Sequence, residues 1–313
     1  MVATGSRGSL ESRRIGYFLL VAFGVSWATA AVIAVTGGLV DSPPVVSTPG
    51  FSLTVAAVLL PTAYMFGPAV ANAVTRWLTD EGRAALMLGF DLRRSLRYYL
   101  LGWLAPAVLT LLGAAVFFAA FPRYFDPSMA AFADRLAGQA GQRVDPALVV
   151  AVQLVAALTL GPVINALFAF GEEFGWRGYL LPKLLPLGAR RAVVAHGLVW
   201  GVWHWPLIAM GYEYGFGYPG APWAGPLVFL VFTVSVGTVL AWLTVGSGSV
   251  WPATLAHGAV NAVAGIGVAF VHGSPNPLLG PLPIGLVGGL PWLAVAVVLL
   301  WRWPTTGAVT TQD

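Results

Sequence analysis

Cysteine is absent from the chain. That excludes disulfides, a thiol nucleophile and a thiolate metal site, and it removes the usual clue to redox compartment. Charge is nearly as scarce. Only 9% of the 313 residues are charged and 58% are hydrophobic, against roughly 25% charged in a soluble domain. One aqueous core cannot hide that much apolar surface, so the composition implies an integral membrane protein. The formal net charge of +4 does not point to nucleic acid. The basic residues flank apolar runs, where they set membrane orientation.

A spanning helix needs about 20 mostly apolar residues. Candidate runs lie near 15–36, 51–75, 98–121, 147–181, 192–210, 225–245, 249–271 and 282–301. The expected architecture is therefore an all-α bundle of about eight transmembrane helices. A tail over 1–14 and another over 302–313 flank one helical domain over 15–301. Arg7, Arg13 and Arg14 precede the first run, which has no evident small-residue cleavage site and reads as an uncleaved first span. With both termini cytoplasmic, every Lys and Arg except Arg123, Arg135 and Arg143 falls on the cytoplasmic side, as the positive-inside rule requires. The expected location is the cell membrane, as a multi-pass protein.

Local signals refine this frame. Asp126-Pro127 and Asp145-Pro146 each read as an N-cap followed by proline at the first helical position. The first predicts a short surface helix with Met129, Phe132 and Leu136 on one face. The second opens the fourth run, which is too long for one straight span and is expected to kink at Gly161-Pro162. The aromatic, Gly/Pro-rich loop over 211–226 reads as an interfacial anchor or as a cap over an outer opening.

Ionisable groups within spans are costly and default to function. Here they are Glu172, Glu173 and Arg177 on the fourth run, His196 and His204 on the fifth, and His257 on the seventh, with Asn261 as a polar companion. Helix rise places Glu172 about 15 Å from the cytoplasmic end of its run, His204 about 20 Å and His257 about 12 Å from the starts of theirs. These similar depths predict one shared site near the midplane or in the cytoplasmic half. Glu173 and Arg177 are spaced i, i+4 and stack as an ion pair. Adjacent residues point about 100° apart, so Glu172 is left free for chemistry. His257 and Asn261 repeat the i, i+4 spacing, letting the amide orient the imidazole or receive an oxyanion. A carboxylate and two imidazoles out of water are the parts of a hydrolase, with the carboxylate as general base to water. A His₂Glu set also matches catalytic zinc ligation. His196 reads as a packing histidine.

The stretches "EEFGWR", "WGVWH" and "HGAVN" resemble the three motifs of the CPBP intramembrane protease family, which includes CAAX prenyl endopeptidases and bacteriocin-processing (Abi) proteins. The resemblance spans about 150–270. It implies an endopeptidase in which Glu172 activates water, Glu173 and Arg177 organise the site, His204 and His257 surround the water, and Asn261 supports the oxyanion. Trp200 stands where the family usually has Phe and keeps an aromatic wall. The mechanism implied is either glutamate-based without a cofactor or dependent on a divalent metal such as zinc, held by His204, His257 and Glu172. The implied partners are the lipid bilayer and a peptide or membrane-protein substrate, with no nucleic acid. Two other classes share features with the chain: a multi-helix transporter, whose broken helices also bury charge, and a catalytically inactive membrane scaffold. A composition rich in Ala, Val, Gly and Arg points to a high-GC bacterium and favours peptide or membrane-protein cleavage over prenyl-protein processing.

Overall fold

A computed structural model describes residues 10–48, 51–83, 85–140 and 143–303. The outer parts of both expected tails, 1–9 and 304–313, lie outside the described residues. In chain order the elements are α1 (Ser12–Val35), a hairpin of β1 (Pro44–Thr48) and β2 (Phe51–Thr54), α2 (Val55–Leu78) and α3 (Leu92–Ala120). There follow a short α4 (Ala130–Ala140), a bent pair of α5 (Pro146–Leu158) and α6 (Leu160–Leu187), then α7 (Ala189–Ala209), α8 (Ala224–Ser247), α9 (Trp251–Val263) and α10 (Leu290–Arg302). The structure is a helical membrane bundle, as composition implies. Among the described residues six helices are long and apolar enough to cross a membrane, or seven if the bent pair counts as one.

Several expected boundaries shift, each for a local reason. The last expected span, 282–301, is helical only over Leu290–Arg302, 13 residues. Pro281, Pro283 and a run of glycines hold the preceding residues in turns. The second run begins as strand, because Phe51–Thr54 pairs antiparallel with Pro44–Thr48. The long fourth run bends by 56° between Leu158 and Leu160, just ahead of the expected Gly161-Pro162. Pro162 has no N–H to continue the ladder back to Leu158. Asp145 caps α5 by accepting from the Ala147 N–H at 2.9 Å, with Pro146 first in the helix. Asp126 acts differently. It accepts from the Ser128 and Ala130 N–H groups at 2.9 and 2.8 Å, so α4 starts only at Ala130. Met129 has φ +55° and is not part of the helical face.

Lipid-facing and inward-facing stripes alternate around the helices. On α3, Leu96, Leu100, Leu104, Val108 and Leu111 are exposed, while Tyr98, Gly102, Pro106, Thr110, Gly113 and Phe117 are buried. The bundle core is closed by small residues, since lipid supplies no hydrophobic drive between helices and close packing must do so. A Cβ on Gly258 of α9 would lie 2.3 Å from the Pro162 carbonyl oxygen, and one on Gly175 of α6 would lie 2.3 Å from the Pro68 carbonyl oxygen of α2. These two contacts set α6 against both neighbours, and α6 carries the paired glutamates.

Among the described residues two π turns interrupt the ladders, at Leu60–Tyr64 in α2 and Trp176–Leu180 in α6. Such turns disturb the regular bonding of nearby carbonyls, and in a membrane a backbone group needs a protein partner. Ser26 Oγ donates to the Tyr64 carbonyl at 2.9 Å. Asn72 Nδ2 donates to the Phe174 carbonyl at 2.8 Å, and Arg76 Nε holds the Asn72 side-chain oxygen at 2.7 Å. At the end of the bundle where α1 begins and α2 ends, Lys183 pairs with Glu11 at 2.9 Å and Glu81 at 2.5 Å. At the opposite end the Tyr214 hydroxyl donates to the Ile284 carbonyl at 2.8 Å, joining the loop after α7 to the turns before α10.

Candidate active site

Three helices bring the expected residues together. On α6, Glu172, Glu173 and Arg177 are buried, with Glu173 and Arg177 fully enclosed. Arg177 Nη1 donates to Glu173 Oε1 at 2.8 Å, the ion pair that the i, i+4 spacing predicts. The same Oε1 also receives His257 Nδ1 of α9 at 2.8 Å. Both contacts fall on Oε1; Oε2 is enclosed without a partner, and Glu173 does not line the cavity that Glu172 borders. With Nδ1 as donor, the His257 Nε2 is free of protein partners.

Trp200 of α7 joins the parts. Its indole Nε1 donates to Glu172 Oε2 at 2.7 Å. The Arg177 guanidinium carbon lies 4.2 Å from the centroid of the Trp200 ring, a cation–π contact between two buried side chains. The ring also stands edge-on to both His204 and His257, at centroid distances of 5.6 and 5.5 Å. The sequence reading made Trp200 only an aromatic wall. The N–H, which a Phe would lack, additionally fixes the free glutamate.

His204 sits where α7 is locally tightened. Pro206 cannot donate to the Val202 carbonyl, and the His204 N–H bonds back to Gly201 at 3.1 Å. Its Nδ1 lies 2.8 Å from the Trp200 carbonyl. A carbonyl only accepts, so Nδ1 carries the hydrogen and Nε2 presents a lone pair. Glu172 Oε1 has no protein partner either.

These free atoms border one cavity of about 100 Å³, room for several waters. Glu172, His204, His257 and Asn261 all line it. His196 does not. It is fully buried, edge-on to Trp176 with centroids 6.3 Å apart, and neither ring nitrogen has a hydrogen-bond partner.

The cavity extends away from the end of the bundle that holds Glu11, Glu81 and Lys183. Beyond Asn261 its walls are Tyr212 and Glu213 from the loop after α7, and Leu282, Pro283 and Ile284 from the turns before α10. Both segments lie at the end of the bundle opposite Glu11, Glu81 and Lys183. Depths counted along single helices place the reactive groups near mid-bundle, but they say nothing of which end the connecting loops leave open. Tyr212 and Glu213 had no place in the motif pattern. Their one sequence signal is that Glu213 is the sole charged residue of the aromatic stretch 211–226.

A protein metal site needs at least three converging donors. Among the described residues, no three His, Asp or Glu side chains are arranged to hold one, Glu172, His204 and His257 included.

The family model for type II CAAX prenyl endopeptidases, Rce1-like, matches residues 149–263. A search of curated proteins finds no match. The matched stretch holds all six candidate residues, from Glu172 to Asn261. Residues 149–263 are thus similar to the Rce1-like type II CAAX prenyl endopeptidases, which is consistent with the CPBP family of membrane-embedded proteases.

Proposed function

We propose that the chain is a glutamate-based intramembrane endopeptidase whose reacting groups are Glu172, His204, His257 and Asn261. The observation that carries this is the division of labour between adjacent carboxylates. Glu173 is held by Arg177 and His257, whereas Glu172 keeps Oε1 open to the cavity. A water there donates one hydrogen to Glu172 Oε1 and the other to His204 Nε2. As its oxygen bonds to the scissile carbonyl carbon, Glu172 takes the first proton. The carbonyl oxygen, now an oxyanion, receives the Asn261 amide N–H and the Nε2–H of a doubly protonated His257, whose charge Glu173 balances through Nδ1. Glu172 returns its proton to the departing amine as the C–N bond breaks. Glu173 and Arg177 act through His257 and are positioning residues.

We further propose that both termini are cytoplasmic and that the cavity mouth is therefore extracytoplasmic. The basic bias of the loops and the placement of Tyr212, Glu213 and Ile284 support this. Peptide or membrane-protein segments entering from that face fit it better than a cytoplasmic prenylated tail.

The test is peptide cleavage by the full chain in lipid nanodiscs, read by mass spectrometry with and without a chelator. His204→Ala and His257→Ala are each expected to lower kcat/KM at least about 100-fold. His196→Ala is expected to change it far less, and chelation to leave it unchanged. Loss of turnover on chelation, with recovery on adding back zinc, would replace the glutamate-only mechanism.

Trp200→Phe provides a finer probe. The ring beneath Arg177 stays, but Glu172 loses its donor. A hydrogen bond to a charged group contributes about 1.5–3 kcal/mol, so kcat should fall about tenfold or more with little change in KM. An unchanged kcat would show that the indole N–H does not position Glu172.

A further inference from the structure

Glu213 has features that the proposed catalytic set does not use. It is one of two carboxylates lining the cavity, the other being Glu172, and no Lys or Arg lines it. Among the described residues Glu213 forms no ion pair. Its backbone has φ +69°, a left-handed conformation that a glutamate adopts at a cost, and such strain gathers at functional positions. The loop is held in place by the Tyr214 hydroxyl, which donates to the Ile284 carbonyl across the mouth. The carboxyl is half-buried, and the Tyr212 phenol lies against it.

We propose that Glu213 is a specificity-determining residue, whose carboxylate receives a lysine or arginine side chain of the substrate at the cavity mouth. The inference rests on the endopeptidase reading and names a substrate class for it. A carboxylate in a largely apolar wall without a cation of its own is short of a partner, and a basic side chain supplies the charge and the donors together. The titratable groups that interact with it are the phenols of Tyr212 and Tyr214, and Glu172, His204 and His257 line the same cavity. None of them is a lysine or arginine that competes. Partial burial pushes the Glu213 carboxyl up to about 7, so it is charged above neutrality and loses its attraction for a cation as pH falls below that.

Binding tests this without relying on turnover. The full chain carrying Glu172→Gln, in nanodiscs, is titrated with fluorescent apolar peptides blocked at both ends. One lysine or one norleucine is placed at each position in turn. At one position lysine is expected to bind at least about tenfold more tightly than norleucine at pH 8, with the ratio shrinking at pH 6. Adding Glu213→Gln should bring the ratio to about one. Adding Glu213→Lys should transfer the preference to a peptide bearing glutamate there. Thermal unfolding of each variant checks that the loop change has not cost the fold. A lysine preference that survives Glu213→Gln, or the lack of one at every position in the parent, overturns the proposal. Failure of the unsubstituted chain to cleave any of these peptides would count against the endopeptidase reading, and the binding ratios would still decide the role of Glu213.

Discussion

Glu172→Gln is expected to abolish peptide cleavage and leave the bundle folded. The amide keeps the size of the carboxylate, and its oxygen still accepts from Trp200 Nε1, the contact seen at 2.7 Å. What it cannot do is take a proton from water. General-base assistance is worth about 10²–10⁴ in rate, and no other carboxylate can take over. Glu173 is held by Arg177 and His257, and Glu213 sits on the mouth loop. The measurement is single-turnover cleavage in nanodiscs beside a thermal unfolding curve. Turnover equal to the parent's would eliminate Glu172 as the base. A collapsed unfolding midpoint would show that the residue is needed for packing instead.

Arg177→Met is expected to lose about 3–5 kcal/mol of stability, the usual cost of stranding one partner of a buried pair. Glu173 and Arg177 are both fully buried and 2.8 Å apart, and His257 alone would then face the Glu173 charge. The double variant Glu173→Gln/Arg177→Met should be less destabilised than Arg177→Met, because it leaves no unpaired charge. Contacting residues are non-additive in this way. Unfolding equilibria of the single and double variants measure the difference. If Arg177→Met unfolds like the parent, the guanidinium is not neutralising Glu173, and its place over the Trp200 ring would be its main role. Because His257 is oriented by the same Glu173 oxygen, the double variant should still be slow in cleavage even where it is stable.

The chain by itself determined what is local or periodic. Low charge and long apolar runs dictate helices in a membrane, because an unpaired backbone is not tolerated in lipid. The Glu173–Arg177 pair follows from helix spacing alone, and the Asp145 cap from a side chain next to the N–H it serves. The order of the three motifs marked Glu172, His204, His257 and Asn261, which do line one cavity. Only the tertiary structure decided how these parts meet. The His257–Glu173 contact joins residues 84 apart in sequence, and the Trp200–Glu172 contact residues 28 apart. Each depends on the rotation and crossing of two helices, which here is set by close approaches such as Gly258 on Pro162. The π turn after Glu173 likewise depends on a neighbour, Asn72, that satisfies a disturbed backbone group. The cavity mouth is the clearest case. Tyr212, Glu213 and Ile284 belong to non-helical segments with no period to read, and they reach the site because the chain folds back over one end of the bundle.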